Sequence, residues 1–346
     1  MRKSTIILIF LLLGVLLFIF TLKKVGIEAV RDAVFMFSFS QLALLLLMLV
    51  SAFILMGSFR WRIIMRGIGV PVPKFWKLFL IRLVGFSLSY VTPAALLGGE
   101  PARFYLLKSE DEKQNNRLIA SIIVDKLMQI LSSCFFFFTG VFVLLFYLNL
   151  SRLTGIIITT TFLFLIILFL FLIKSIKKVS KEEGFFISMF RVLYLNKIKK
   201  IKDMQNRFEQ IEREMITFFR QPRIFILKPV LLTFVEVGLI LTLFWLIIFF
   251  MGSVLTIPRL LVIRSMTDLS AMIPFPASLG TLEITQAFVF ETFAMGAHTG
   301  VALSLIFRGV SLTLAFIGLI VFGFFHIQGV IDKFGKKILK LMPERK

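Results

Sequence analysis

Long runs of apolar residues dictate what this chain can become. Ser4–Leu22, Leu42–Gly57, Leu118–Leu148, Leu153–Ile173, Phe225–Met251 and Val301–His326 each carry at most two charges. A bilayer core is crossed by about 20 apolar residues of helix. Inside it every backbone N–H and C=O must be bonded within the protein, which leaves helices and closed barrels. These runs are continuous rather than alternating, so helix is the expectation. Composition agrees: 58% of residues are hydrophobic and 17% charged, against about half and a quarter in soluble domains. Phe alone fills 43 of 346 positions, which suits lipid-facing surfaces.

The formal net charge is +21, from 40 Lys and Arg against 19 Asp and Glu. Basic excess can signal nucleic acid, but here it lies in the short segments between apolar runs, where the positive-inside rule accounts for it. No nucleic-acid partner is expected. A single cysteine, Cys134, allows no internal disulfide or cysteine metal cluster. His298 and His326 stand far apart and belong to no ligand pair. No cofactor and no metal are expected. Arg2-Lys3 before an apolar stretch resembles a signal peptide, but Thr21-Leu22-Lys23-Lys24 offers no cleavage site, so a retained first helix is expected.

Two further apolar stretches, Phe75–Leu107 and Leu260–Phe293, are interrupted near their middles by Pro and Gly: Thr92–Glu100 in the first, Ile273–Glu283 in the second. Proline removes a helix hydrogen bond and glycine lets the backbone turn. Such breaks survive at membrane depth only where protein or a watery cavity satisfies the freed groups. If both stretches turn back as re-entrant hairpins and the N-terminus is cytoplasmic, Phe59–Lys74, Lys108–Arg117, Lys174–Lys228 and the C-terminal tail all fall inside. Lys174–Lys228 holds 14 basic against 6 acidic residues, whereas Asn149–Arg152 and Gly252–Ile257, outside, are nearly uncharged. Charge asymmetry therefore favours hairpins. Lys23–Phe39 fits least well, being external with three basic residues. Within the basic loop, Ile201, Met204, Phe208, Ile211, Met215 and Phe218 mark an amphipathic helix lying on the membrane or packed on the bundle.

The two broken stretches look like copies. Pro93 is followed seven residues later by Glu100, and Pro276 by Glu283. Leu80-Ile81-Arg82 echoes Val262-Ile263-Arg264, and Lys126 and Arg308 follow at matching distances, all offset by 182 or 183 positions. The expected fold is an all-α polytopic membrane protein of about six spanning helices plus two re-entrant hairpins in an inverted repeat. Residues 40–150 form the first unit, 174–224 a basic cytoplasmic loop and 225–330 the second, inverted unit, within one membrane domain spanning 1–346. Inverted repeats with discontinuous helices bind transported substrates at their broken ends.

Eleven ionisable groups fall inside the expected membrane region: Arg82, Glu100, Arg103, Asp125, Lys126, Glu236, Arg264, Asp268, Glu283, Glu291 and Arg308. Five are basic and six acidic, so they are close to balance. A central charge costs about 2.5–3.5 kcal/mol on insertion scales, so these groups should pair or line a hydrated path. Ion pairs such as Glu100 with Lys126 and Glu283 with Arg308 are the structural reading, and substrate contact is the functional one. The candidate substrate-binding set is Arg82, Pro93, Gly98, Gly99, Glu100, Arg103, Asp125, Lys126, Glu236, Arg264, Pro276, Gly280, Glu283 and Arg308. Arg and Lys beside Gly-Gly backbone suit a phosphate or other anionic head.

Thr92-Pro93, Gly98-Gly99-Glu100 and Arg103, then Ser121-Ile122-Ile123-Val124-Asp125-Lys126, then Ile273-Pro274, Gly280 and Glu283, resemble the transmembrane flippase-like region of lysylphosphatidylglycerol synthases. The resemblance covers nearly the whole chain, and stand-alone relatives occur in bacteria and archaea. Family proteins usually carry Arg where Lys126 stands; Lys keeps the charge but loses the bidentate fork. The sequence holds no soluble aminoacyl-transferring domain, so aminoacyl transfer is not expected. What the resemblance implies is translocation of an anionic or zwitterionic lipid between leaflets of a cell membrane, with both termini cytoplasmic. A lipid-modifying enzyme and an accessory subunit of envelope assembly are the alternatives, but no recognisable catalytic motif and no GxxxxGK[ST] is present. A homo-oligomer and envelope-biosynthesis partners stay open.

Overall fold

All regular elements among the described residues are helices. The computed structural model describes residues 35–91, 98–147, 199–272 and 278–341, with the isolated positions 28, 32 and 160. The expected span Ser4–Leu22, all of Leu153–Ile173 but position 160, and the break residues Pro93 and Pro276 lie outside them.

A long first helix comprises α1 (Phe39–Leu49), a wide π turn (Val50–Met56) and α2 (Gly57–Ile68). Ser38 opens it with a capping box: its Oγ accepts from the Gln41 N–H at 3.3 Å, and Gln41 Oε1 accepts from the Ser38 N–H at 2.9 Å. Gly69, at φ 78°, closes it in the left-handed conformation that only glycine adopts freely. Next come α3 (Phe75–Val91) and α4 (Glu100–Leu107), on either side of the first break, and the long α5 (Glu112–Tyr147). After α6 (Lys199–Phe219) the pattern recurs: long α7 (Arg223–Phe250), short α8 (Ile257–Met272) and α9 (Thr281–Thr292) around the second break, and long α10 (Ala297–Leu341).

Among the described residues, four helices are long and apolar enough to cross a membrane: Phe39–Ile68, Glu112–Leu145, Arg223–Phe250 and Ala297–Phe325. Their outward surfaces carry Leu44, Leu47, Leu231, Phe234, Phe249, Phe316 and Phe324, all exposed. Apolar surface in that density is what a lipid-facing wall requires. The chain is a multi-pass membrane protein.

The arms of each broken stretch fold back on each other. Gly99 approaches Gly85 and Ser89, and its N–H donates to Ser89 Oγ at 2.9 Å. Thr281 Oγ1 donates to the Ser270 carbonyl at 3.3 Å, and Gln286 Nε2 to the Ile263 carbonyl at 3.1 Å. The described helix in each of the four arms, 17, 8, 16 and 12 residues, falls short of the about 20 residues that cross a bilayer core. Each outer arm also packs on the last helix of the opposite set: α3 on α10, and α8 on α5. At both crossings a glycine meets a serine. A Cβ on Gly140 of α5 would lie 1.8 Å from Ser265 Oγ and 2.4 Å from the Leu261 carbonyl, and one on Gly318 of α10 would lie 2.0 Å from Ser87 Oγ and 2.8 Å from the Leu83 carbonyl.

One expectation is corrected. The span expected over Leu42–Gly57 does not end at Gly57, and Phe59–Lys74 is not all loop: α2 carries the helix on to Ile68 with Ser58, Arg60, Trp61, Ile64 and Met65 buried. Trp61, Ile64, Met65 and Ile68 repeat at helical spacing, and this face packs with Leu118, Ile122, Met215 and Phe218. The amphipathic α6 accordingly lies on the bundle, against α5 and α2, with Ile211, Met215 and Phe218 inward. Arg117 Nε meets Glu214 Oε1 at 3.1 Å, Asn116 Nδ2 donates to Gln210 Oε1 at 2.8 Å, and Gln221 Nε2 donates to the Gly67 carbonyl at 3.0 Å. The segments after α2, before α5 and around α6 thus share one end of the bundle. Phe37 and Phe250 pack edge to face at 6.2 Å at the other.

Candidate functional site

Asp125, fully buried on α5, gathers arginines from three other elements. Arg60 Nε of α2 donates to Oδ1 at 2.8 Å, Arg82 Nη1 of α3 to Oδ2 at 2.8 Å, and Arg103 Nη2 of α4 lies 3.0 Å from Oδ2. Arg60, at 0% exposure, also pairs with Glu236 of α7 and reaches Thr233 Oγ1 at 3.3 Å. With its amide oxygen turned inward, Gln129 accepts from Arg60 Nη2 at 2.9 Å and from Arg82 Nη2 at 3.0 Å. The π turn supplies the last acceptor: the Phe53 carbonyl takes Arg82 Nε at 2.9 Å. Gly57 opens the passage for that guanidinium, since a Cβ there would sit 1.9 Å from Arg82 Nε. Arg60 and Arg82 are therefore bonded along their whole forks, which is how a low-dielectric interior tolerates charge.

Beside this cluster, Lys126 Nζ holds Glu100 Oε1 at 3.0 Å, tying α4 to α5. The counterpart in the second set is Arg308 of α10, whose Nη1 lies 2.6 Å from Glu283 Oε1. Glu283 is also anchored at the tip of α9, where its Oε2 accepts the Gly280 N–H at 2.9 Å, with Gly280 at φ 79°. Arg308 Nη2 further donates to the Ser278 carbonyl at 2.9 Å. Tyr90, at the end of α3, lies within hydrogen-bonding reach of Arg308 and Ser311. Residues beside both breaks thus converge on one arginine. Gln286 Nε2 of α9 donates to Thr267 Oγ1 of α8 at 2.9 Å, and within α8 Arg264 Nη2 pairs with Asp268 Oδ1 at 2.9 Å.

The structure brings Arg82, Arg103, Asp125 and Glu236 of the candidate set into one cluster, with Glu100 and Lys126 paired next to it. Glu283, Arg308 and Gly280 form the second group. Arg264 pairs along its own helix and joins neither. Gly98 and Gly99 lead into α4. Sequence reasoning missed Arg60, Trp61, Gln129 and Tyr90. The signal for Arg60 was the apolar face of Trp61, Ile64 and Met65, which carries the helix past Gly57. Glu291 leaves the interior set: it is exposed at the end of α9, where its Oε2 accepts the Ala297 N–H at 3.1 Å. The interior tally shifts from five bases and six acids to six bases, with Arg60, and five acids. No group of three His, Cys, Asp or Glu able to hold a metal occurs among the described residues. Oriented guanidinium groups in a dry interior can hold an anion.

Residues 6–318 match the family model described as the lysylphosphatidylglycerol synthase TM region. A UPF0104 membrane protein of Methanocaldococcus jannaschii is 25% identical over 281 residues, 78% of this chain and 79% of that one. Another, from Methanothermobacter thermautotrophicus, is 25% identical over 180 residues, covering 49% of this chain and 53% of its own length. No solved structure matches.

Proposed function

We infer the function from one premise: the chain belongs to the lysylphosphatidylglycerol synthase TM region family. Membership points to a lipid-related role in a membrane. Our reading is that the protein moves a lipid with an anionic or zwitterionic head between leaflets, without chemical change to it. The observation that carries this reading is the buried arginine cluster on Asp125, held by α2, α3, α4, α5 and α7. A packed apolar core would stabilise such a bundle at least as well as buried ion pairs do, so charges retained at membrane depth mark a path for a polar group.

Alternating access through an inverted repeat is the mechanism we propose. Four features support it: the recurring order of long, short, short and long helices; the reciprocal packing of α3 on α10 and α8 on α5; the matched pairs Glu100–Lys126 and Glu283–Arg308; and arms that fold back on each other at both breaks. The hairpin of α3 and α4 enters from the end that carries Lys74, Lys108, Lys113, Arg117 and α6, which the positive-inside rule makes cytoplasmic. The hairpin of α8 and α9 enters from the opposite end, where the segment Gly252–Ile257 carries no charge. We place the protein in the cytoplasmic membrane with both termini inside.

Purified protein in liposomes should move labelled phospholipid between leaflets faster than empty liposomes. Absence of that acceleration with correctly inserted protein refutes transport. Glu283→Gln and Arg308→Gln should remain inserted and monodisperse yet lose most lipid movement. If they aggregate instead, and the charge swap Glu283→Arg with Arg308→Glu restores both yield and movement, the pair is structural only.

Sidedness has its own test. In a Cys134→Ser background, Thr256→Cys should react with an impermeant thiol reagent outside intact cells, and Ser109→Cys should not. Labelling of position 109 from outside contradicts the hairpin topology.

A further inference from the structure

The two halves touch through matching helix crossings that differ in one chemical respect. Where α8 crosses α5, Gly140 lets Ser265 approach, and Ser265 Oγ donates to the Phe136 carbonyl at 2.9 Å. One turn further along each helix, the Ser133 hydroxyl of α5 lies within reach of the Asp268 carboxylate of α8. The crossing of α3 on α10 repeats this register. Tyr90 stands three residues after Ser87, as Asp268 does after Ser265, and Ser311 stands seven before Gly318, as Ser133 does before Gly140. There Tyr90 reaches Ser311. A phenol ordinarily keeps its proton to about pH 10 and an aspartic acid only to about pH 4. One half therefore makes this contact with a group that stays neutral, the other with a group that titrates.

A structural ion pair does not account for Asp268. Glu100–Lys126 and Glu283–Arg308 each join two helices. Three guanidinium groups and two carboxylates around Asp125, a surplus of one positive charge, join five elements. Arg264 and Asp268 are i and i+4 on one helix, so their bridge fastens nothing to α8. It is also incomplete: Asp268 Oδ2 and Arg264 Nε are buried and meet no partner in full hydrogen-bond geometry among the described residues. A proton on Oδ2 turns an unbonded acceptor into a donor. A serine hydroxyl both donates and accepts, so Ser133 suits the acid as well as its anion. Asp268 lies eleven residues into α8, about 16 Å from its start, close to the middle of a core about 30 Å thick. Around it, α5 brings Ser133 and Cys134, and α7 brings Glu236, whose negative charge opposes its own. From α9 come the neutral Gln286, bonded to Thr267, and Glu283, already paired with Arg308.

Resting on the transport reading above, we propose that Asp268 binds a proton at membrane depth and couples lipid movement to a transmembrane proton gradient. The carboxylate takes a proton from water on one side of the membrane, and the acid returns it to water on the other. No bond of the lipid changes. Protonation leaves the Arg264 charge unbalanced and removes the repulsion between Asp268 and Glu236, so the hold of α8 on α5 and α7 changes with proton occupancy.

Infrared difference spectra of the purified full chain in detergent, taken between about pH 5 and 8 where proteins are most stable, test the site. A protonated-carboxyl band should appear toward acid and be missing from Asp268→Asn. Arg264→Gln removes the positive charge that favours the carboxylate, so the band should appear at higher pH by about one unit or more. Should Asp268→Asn not fold, that displacement decides. In liposomes, a gradient of about one pH unit should shift the steady-state leaflet ratio of labelled phospholipid by up to about tenfold. The ratio in Asp268→Asn should ignore the gradient. A band that Asp268→Asn retains, a band that Arg264→Gln does not move, or a wild-type ratio indifferent to the gradient overturns the proposal. Lipid movement that ignores the gradient removes this inference alone. The Asp268 band without any lipid movement removes transport and leaves the proton site standing.

Discussion

Asp125→Ala should cost about 3–5 kcal/mol of folding stability, because it strands three buried guanidinium groups that now share one carboxylate. Little monodisperse protein should survive extraction, and what does should melt well below wild type in a fluorescence scan. Asp125→Asn should be milder, since the amide still accepts a hydrogen bond, yet it raises the surplus charge of the cluster to two. Adding Arg103→Gln to Asp125→Asn returns the surplus to one and should recover part of the melting temperature. Stability of Asp125→Ala within about 0.5 kcal/mol of wild type, the usual range for surface changes, would show that the arginines reach other acceptors and that the cluster is not centred on Asp125.

Gly140→Leu and Gly318→Leu should each separate a pair of helices that now touch backbone to backbone. Overpacking typically costs about 1–3 kcal/mol and sometimes more. At Gly140 the obstruction includes the Leu261 carbonyl at 2.4 Å, which no rotamer change can remove. Trimming Ser265 to Ala should therefore rescue Gly140→Ala only in part. Gly238 and Gly309 supply the controls, because a Cβ at either would meet nothing within 4 Å. Alanine there should be neutral or stabilise by up to about 1 kcal/mol, the helix-propensity difference. A melting curve for Gly140→Leu that overlays the Gly309→Ala curve would mean that α5 and α8 are not held in this contact.

Much of this architecture could be read from residues in order. The long apolar runs identified the described spans because lipid imposes length and composition on a helix before any tertiary contact forms. Pro and Gly located both breaks, and a shared step from Pro to Glu identified Glu100 and Glu283, which do pair with Lys126 and Arg308. Arg60 escaped because Phe59-Arg60-Trp61-Arg62 looks like an interfacial end to a span. Only the packing of α2 against α5 and α7 turns Arg60 inward while Arg62 stays partly exposed. Glu291 erred the other way: it lies within an apolar stretch in sequence but at a helix end in space. Matching Leu80-Ile81-Arg82 to Val262-Ile263-Arg264 also paired residues that do different work, since Arg82 reaches across to Asp125 whereas Arg264 stays on its own helix with Asp268.

The glycine crossings and the ion pairs keep different time. Gly140 and Gly318, Ser87 and Ser265, and Leu83 and Leu261 are each 178 positions apart, four fewer than the spacing between Lys126 and Arg308. Along α5, fourteen positions lead from Lys126 to Gly140; along α10, ten lead from Arg308 to Gly318. Four residues rotate a helix through about 400°, so a side chain returns to within about 40° of its first azimuth. Two residues would rotate it about 200° and point the glycine into lipid. The crossing on α10 therefore lies about one turn nearer its ion pair than the crossing on α5 does, displaced about 6 Å along the helix axis with the glycine kept on the packed face.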